Sequence, residues 1–259
     1  MQYTNPVTHA LSWKKAWFFL KDDVQHVMVS SLTSESDASV RSVLDQRRER
    51  GQVFVNGEAV SSASGSSTYL GCETLWHDDV GYKINKAALT VQRESKTGDW
   101  ANIGTSTQPP VTVDLFAAFI EHGNGSLAQA VEYSVFPGVD QKAFAAKSAS
   151  YAIQSVRNDG AVSAVFDQTY EMLMAVFWGV SGSEVTFFPQ GSDPVTVGVD
   201  ANAAVIYGLK TGEVTVSDPS QSLSKVSVMV TRGGKVQMLN FELPGGGLAG
   251  SGVTQTVQM

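Results

Sequence analysis

The chain has 259 residues, 42% of them hydrophobic and 17% charged, proportions that exclude a disordered polymer and suit a protein with a substantial buried core. A formal net charge of −7 argues against nucleic acid as a partner and against attraction to an anionic membrane, since both need clustered Lys and Arg. No run of about 18 apolar residues occurs, so no membrane insertion is expected, and the opening Met1-Gln2-Tyr3-Thr4-Asn5-Pro6 lacks the apolar core of a signal peptide.

In chain order, the first strong element is Lys14-Lys15-Ala16-Trp17-Phe18-Phe19-Leu20, a dense hydrophobic run that reads as a buried β-strand needing partners on both faces. Trp17 is therefore expected in the core, and the run reads as the middle of something larger, its partners coming from downstream or from a second chain. Strand-like runs follow at 24–29, 53–55, 88–91, 111–120, 132–136, 172–178, 185–188, 195–199, 203–207, 214–217, 226–231 and 236–242. Between them lie turn signals: Asn56-Gly57, Thr97-Gly98, Gly123-Asn124-Gly125, Asn158-Asp159-Gly160, Thr211-Gly212 and Arg232-Gly233-Gly234. The last joins 225–230 to 236–241 and makes the cleanest hairpin. One short helix is expected from Asp140, in capping position, through Lys147.

This spacing predicts an all-β fold of two antiparallel β-sandwich units with little helix. The stop at Phe136-Pro137-Gly138 divides them, giving expected domains at 1–139 and 140–259. The glycine-rich stretch 245–252 reads as mobile.

Poised chemistry is scarce. His9, His26, His77 and His122 have no metal-ligand spacing, and no H-E-x-x-H, paired C-x-x-C, G-x-S-x-G or P-loop pattern occurs, so no catalytic residue, metal or cofactor is expected. Cys72 stands alone and forms no intrachain disulfide. Asp22-Asp23 and Asp78-Asp79 lack the further oxygen ligands that Ca²⁺ requires and read as turn residues. His122 closes a long apolar strand, and His77 sits between Trp76 and Asp78-Asp79; packing competes with ligand contact at both. Asn124-Gly125-Ser126 is a glycosylation sequon that matters only in a eukaryotic secreted protein.

Binding residues have more support. Trp17 and Trp178 lie inside apolar runs and read as core, whereas Trp13, Trp76 and Trp100 are flanked by polar residues, where an indole can serve as a platform for a sugar ring or as satellite packing. Asp45-Gln46-Arg47-Arg48-Glu49-Arg50 reads as a solvated turn or, if functional, as guanidinium forks for the carboxylate or sulfate groups of an acidic polysaccharide. The candidate ligand-binding set is Trp76, His77, Trp100, Arg47 and Arg48, with Trp76, Trp100 and Arg47 expected on one concave face.

Several segments, read in order, resemble polysaccharide lyase family 8, the hyaluronate, chondroitin AC and xanthan lyases. Lys14 to Leu20 with Asp22-Asp23 is similar to that family's K-K-S-W-F-F strand and acidic turn, and Asp45-Gln46-Arg47-Arg48 to E-N-R-R. Leu75-Trp76-His77-Asp78-Asp79-Val80-Gly81-Tyr82 resembles W-H-D-G-x-x-Y, and Gly98-Asp99-Trp100-Ala101-Asn102-Ile103 resembles G-x-W-x-x-I-N. Phe119-Ile120-Glu121-His122-Gly123 and Glu132 to Gly138 are similar to the I-D-H-G and Y-x-Y-x-x-x-P pair, and Ser217-Asp218-Pro219 before a Val-rich strand resembles the C-terminal β-sandwich.

The resemblance implies two antiparallel β units and an extracellular setting. It also implies that the catalytic Asn, His, Tyr and Arg belong to an upstream helical toroid, so none is carried onto this chain; His77 and His122 match framework motifs. Three functions remain open. One is a non-catalytic, lectin-like protein binding a glycan or polysaccharide. Another is the C-terminal part of a lyase acting by β-elimination. The third is a structural protein forming a homo-oligomer through exposed strand edges.

Overall fold

Strand alternation sets which side of each segment is buried, and the computed structural model shows this for every residue except 62–63, 124–126, 128 and 259, and for every other side chain but that of Lys86. The Asn124 sequon and the turn read at 123–125 therefore fall outside the described residues. Two units are distinguished by contact: one consists chiefly of Met1–Thr33 and Ser150–Met259, the other of Ser34–Leu127 and Val131–Ala149.

The first unit begins with β1 (Gln2–Thr4), β2 (Leu11–Phe19) and β3 (Gln25–Ser34), hydrogen-bonded in that order. On β2, Ala16 and Phe18 are buried while Trp17 and Phe19, on the opposite face, are 40% and 69% exposed. This corrects the core assignment of Trp17: a continuous apolar run predicts a strand covered on both faces, whereas at this end of β2 only the face of Ala16 and Phe18 is buried. That face is fastened within the unit, where Lys14 Nζ donates to Gly160 O at 2.5 Å and Ser30 Oγ of β3 to Asp159 O at 2.8 Å.

The second unit holds β4 (Val40–Arg48), β5 (Val53–Val55), β6 (Glu58–Ala59), β7 (Gly65–His77), β8 (Val80–Gly98), β9 (Val111–His122), β10 (Val131–Pro137) and helix α1 (Gln141–Ser150). Strand β8 organises it. Residues 80–84 of β8 pair with β10, and residues 89–98 pair with β9, while β7 runs along the other side. Register shifts in β7 around Cys72 bend this long hairpin, as β-bulges do. Strand β4 then pairs with β9, so Arg47 and Arg48 end a strand rather than forming the solvated turn read from the sequence. Helix α1 is capped by Asp140, whose Oδ1 accepts from Ala143 N at 2.7 Å.

The remaining strands of the first unit are β11 (Ile153–Asn158), β12 (Val162–Asp167), β13 (Met172–Phe177), β14 (Ser183–Phe187), β15 (Val195–Val199), β16 (Ala203–Gly208), β17 (Glu213–Ser217), β18 (Lys225–Arg232), β19 (Lys235–Glu242) and β20 (Val253–Thr256). They form a sheet in the order β11-β12-β13-β16-β17-β20 and a sheet in the order β14-β15-β18-β19. Alternate apolar side chains of the two sheets, including Phe166, Phe177, Val197, Val216, Val228 and Phe241, share one core, as in a β-sandwich. The β18–β19 hairpin matches its prediction: Arg232 pairs with Lys235, and Gly233 and Gly234 both take positive φ, as a two-residue turn requires. The segment 245–252 carries a 3₁₀ turn at Gly246–Leu248, and Gly250 O accepts from Ser217 Oγ at 2.7 Å. Among the described residues, no helix is long and apolar enough to cross a membrane.

Candidate functional site

The predicted site residues all lie in the second unit, and β4 sorts the two arginines by alternation. Arg47 turns inward. Its Nη2 donates to Asp45 Oδ2 at 2.6 Å and to His77 O at 3.2 Å, and its Nη1 to Asp78 O at 3.3 Å, so the guanidinium ties β4 to the β7–β8 turn. Tyr82 hydrogen-bonds the same Asp45, and burial together with that carboxylate holds its phenol well above the ordinary range. These pairs brace the unit, although Arg47 Nε is buried with no hydrogen-bond partner among the described residues.

His77 is wholly buried. Its ring packs on Phe116 with centroids 4.0 Å apart, and Nε2 accepts from Arg50 N at 3.4 Å. Burial, reinforced by the Arg47 charge, lowers its pKa against the opposing carboxylates of Asp45 and Asp78, so the imidazole is held neutral in the core. His122 is buried as well and shares a 2.8 Å hydrogen bond with Ser42 Oγ. Cys72 is buried, its thiol pushed up to about 11 mainly by burial, which leaves it unreactive.

Trp76 is half-buried and edge-on to Phe54, with ring centroids 5.8 Å apart, and its Nε1 donates to Val139 O at 2.8 Å. It lines a hollow of about 370 Å³ between β7 and α1, with Phe144 and Lys83 also on the wall. Lys83 Nζ is committed to Ser148 O at 2.8 Å.

Arg48 and Trp100 meet elsewhere, at a groove of about 330 Å³. The register makes it. Arg48 stands opposite Leu115, Lys96 opposite Val113, and Gly98 opposite Val111, which puts the side chains of Arg48, Lys96, Val111, Val113 and Leu115 on one face of β4, β9 and β8. Beyond Gly98 the chain forms a 3₁₀ turn at Trp100–Asn102, capped by Asp99 Oδ1 accepting from Ala101 N at 2.9 Å. That turn presents Trp100 at 57% exposure and Ile103 at 78% at the rim. Lys96 Nζ pairs with Glu94 Oε2 at 3.0 Å, whereas Arg48 makes no ion pair among the described residues.

Trp76, Trp100 and Arg47 therefore do not converge on one face. Trp76 and Trp100 line separate hollows, Arg47 is engaged internally, and the exposed guanidinium beside an indole belongs to Arg48. Sequence reasoning missed Lys96 and Ile103. Ile103 lies in the quoted Gly98-Asp99-Trp100-Ala101-Asn102-Ile103 segment, but nothing along the chain tells that Arg48, some fifty residues earlier, shares its groove. No cluster of three or more His, Cys, Asp or Glu able to hold a metal occurs among the described residues.

The arrangement offers an aromatic face, a free guanidinium and an apolar floor, which suits binding and lacks a poised acid and base. Comparison with known proteins agrees with the β-rich fold. Residues 1–148 match the polysaccharide lyase family 8 super-sandwich domain, and residues 156–227 match the family's C-terminal β-sandwich domain. The chain is 24% identical over 257 residues to chondroitinase-AC of Pedobacter heparinus, covering 94% of this chain and 35% of that protein. Its fold is similar to a chondroitinase AC lyase structure determined in enzyme–oligosaccharide complexes, with TM-score 0.86 and 22% identity, over 98% of this chain and 37% of that one. It is also similar to a Paenibacillus xanthan lyase, with TM-score 0.78 and 22% identity, over 90% of this chain and 23% of that one. The chain thus spans about a third of the length of that chondroitinase. Its two matched regions are the family's β domains, the described residues contain a single α-helix of ten residues, and the chain belongs to polysaccharide lyase family 8.

Proposed function

We propose that this chain is a glycan-binding β scaffold of the lyase family, which holds an acidic polysaccharide without supplying the groups that cleave it. The observation that carries this reading is the Trp100–Arg48 groove. An exposed indole offers its face to the C–H side of a sugar ring, and a guanidinium with no ion pair offers a fork for a carboxylate or sulfate. A similar fold, the chondroitin AC lyase of Streptomyces coelicolor A3, was solved in complex with chondroitin sulphate, which makes that polysaccharide the natural probe.

The test is calorimetric titration with chondroitin sulfate oligosaccharides. Wild-type protein is expected to bind, Trp100→Ala and Arg48→Ala each to weaken binding by about tenfold, and Arg48→Lys to recover only part of the loss because it keeps charge but not the fork. Absence of heat with wild-type protein at millimolar oligosaccharide overturns the reading.

A second reading, that the chain works as the β portion of a lyase acting by β-elimination, is favoured by its match to both β domains and its coverage of about a third of a lyase. In that case a base and a charge clamp come from outside the described residues. Joining the chain to a family 8 helical domain and assaying the ultraviolet absorbance of unsaturated uronate tests it. Product from the chain alone overturns the claim that it lacks the cleaving groups.

A further inference from the structure

Strand β2 carries a second set of aromatic groups in the first unit, independent of the Trp100 groove. Strand alternation places Trp13, Lys15, Trp17 and Phe19 on one face. Tyr3 of β1 pairs with Trp13 in register, and their rings stack with centroids 5.2 Å apart and planes 24° apart. Lys15 Nζ lies 4.9 Å from the Trp17 ring centroid. From Trp13 to Phe19 the row runs about 20 Å at the usual strand rise. The opposite face of β2 is already covered, with Ala16 and Phe18 buried and Lys14 bonded to Gly160 O.

Charge distinguishes this row from an ordinary apolar patch. Residues 1–21 include Lys14, Lys15 and Lys21 and no Asp or Glu, in a chain whose net charge is −7. Lys14 and Lys21 are turned to partners of their own, Gly160 O and the Tyr170 ring respectively. Lys15 is half-buried and makes no ion pair among the described residues, so its ammonium lies beside the Trp17 ring without a counter-ion. A second apolar protein layer would bury that ammonium unpaired, at a desolvation cost. An anionic sugar chain supplies both the counter-charge and the C–H faces that stack on indole.

We infer that the Tyr3–Trp13–Lys15–Trp17–Phe19 face is an extended binding surface for an acidic polysaccharide, a second site that needs several consecutive sugars. It rests on the reading of the chain as an acidic-glycan binder but uses none of the groove residues. Lys15 meets a carboxylate or sulfate, and the exposed rings of Trp17 and Phe19 stack on adjacent sugars.

The experiment is a titration of chondroitin sulfate oligosaccharides of increasing length, followed by the indole N–H resonances of wild-type protein and by calorimetry of Trp17→Ala/Phe19→Ala, Lys15→Ala and Arg48→Ala/Trp100→Ala. Support is a shift of the Trp17 indole resonance, affinity that rises from disaccharide to octasaccharide, and a loss on the order of tenfold in the Trp17/Phe19 variant when tested in the Arg48/Trp100 background. The resonance shift in wild-type protein keeps the test valid even where the double variant fails to fold. Full loss of binding in the Arg48/Trp100 variant, with the Trp17 resonance unmoved, overturns the second site and leaves the groove. Absence of binding by wild-type protein overturns both. Equal affinity for a neutral polysaccharide overturns the role of Lys15. A dimer in sedimentation analysis that Trp17→Ala/Phe19→Ala dissociates identifies a second copy of the chain as the occupant and overturns the glycan surface.

Discussion

At the scale of single residues, His77 shows how strongly position outweighs type. The imidazole that beside two aspartates leaves packing and ligand contact both open is wholly buried on Phe116. Its pKa is lowered by burial first and by Arg47 second, and that of His122 by burial against the opposing charge of Glu121. A base held neutral in the folded state takes up its proton more readily once unfolded, so stability is full above the ordinary histidine range and falls as pH drops below about 6.5. Chemical denaturation between pH 5 and 8 is expected to show a urea midpoint that declines on the acid side. His77→Gln should lower stability at pH 7 by about 2 kcal/mol while making that decline shallower; an unchanged slope would show that His77 is not among the groups responsible. Asp218 lies in the Ser217-Asp218-Pro219 segment, and its carboxylate accepts from Ser220 N, Ser222 N and Leu223 N at 2.7–2.8 Å. Burial alone would raise its pKa, but these hydrogen bonds hold it below the usual carboxylate range.

At the scale of elements, the hairpins with explicit turn chemistry were the readable ones. Gly233-Gly234 fixes β18 and β19 because only glycine takes positive φ twice without strain. Strand β7 was not readable from its own pattern, since residues 65–71 are Gly, Ser and Thr with few apolar side chains and are mostly exposed. It is held as a strand by β8, through cross-strand contacts such as Thr68 Oγ1 to Thr90 Oγ1 at 3.0 Å. Strand β12 was missed for the opposite reason: Val162–Asp167 is buried at every position, and a short run without alternation carries no clear period. Helix α1 docks through a close approach, because Phe144 lies directly over the Cα of Gly81 and a Cβ there would run into its ring. Gly81→Ala is expected to displace α1 and cost about 2–3 kcal/mol, read as a lowered thermal midpoint, with Phe144→Leu partly relieving the clash. If Gly81→Ala is as stable as wild-type protein, this contact does not hold the helix.

At the scale of the whole molecule, net charge opposes the proposed ligand. A chain at −7 repels an acidic polysaccharide at long range, so binding depends on Arg48 and Lys15 acting at short range in locally favourable surroundings. Salt screens both the repulsion and the attraction. Affinity for chondroitin sulfate is therefore expected to change by only a few-fold between about 0.05 and 0.2 M NaCl, unlike the steep loss seen when many basic groups meet a polyanion. A fall of a hundredfold or more over that range, measured by calorimetry, would mean that a larger basic surface is engaged.

What the sequence by itself determined is the class and the punctuation: all-β, antiparallel, one short helix beginning at Asp140, and the family, because local periodicity, turn residues and ordered motifs are properties of contiguous chain. The tertiary structure decided which residues share a surface. Contact groups Met1–Thr33 with Ser150–Met259, segments far apart along the chain. Alternation on β2 turns Trp17 outward, alternation on β4 separates Arg47 from Arg48, and the β4–β9–β8 register brings Arg48 to Trp100. Pairing register is set by the sum of many distant side-chain contacts, so no single segment of sequence contains it.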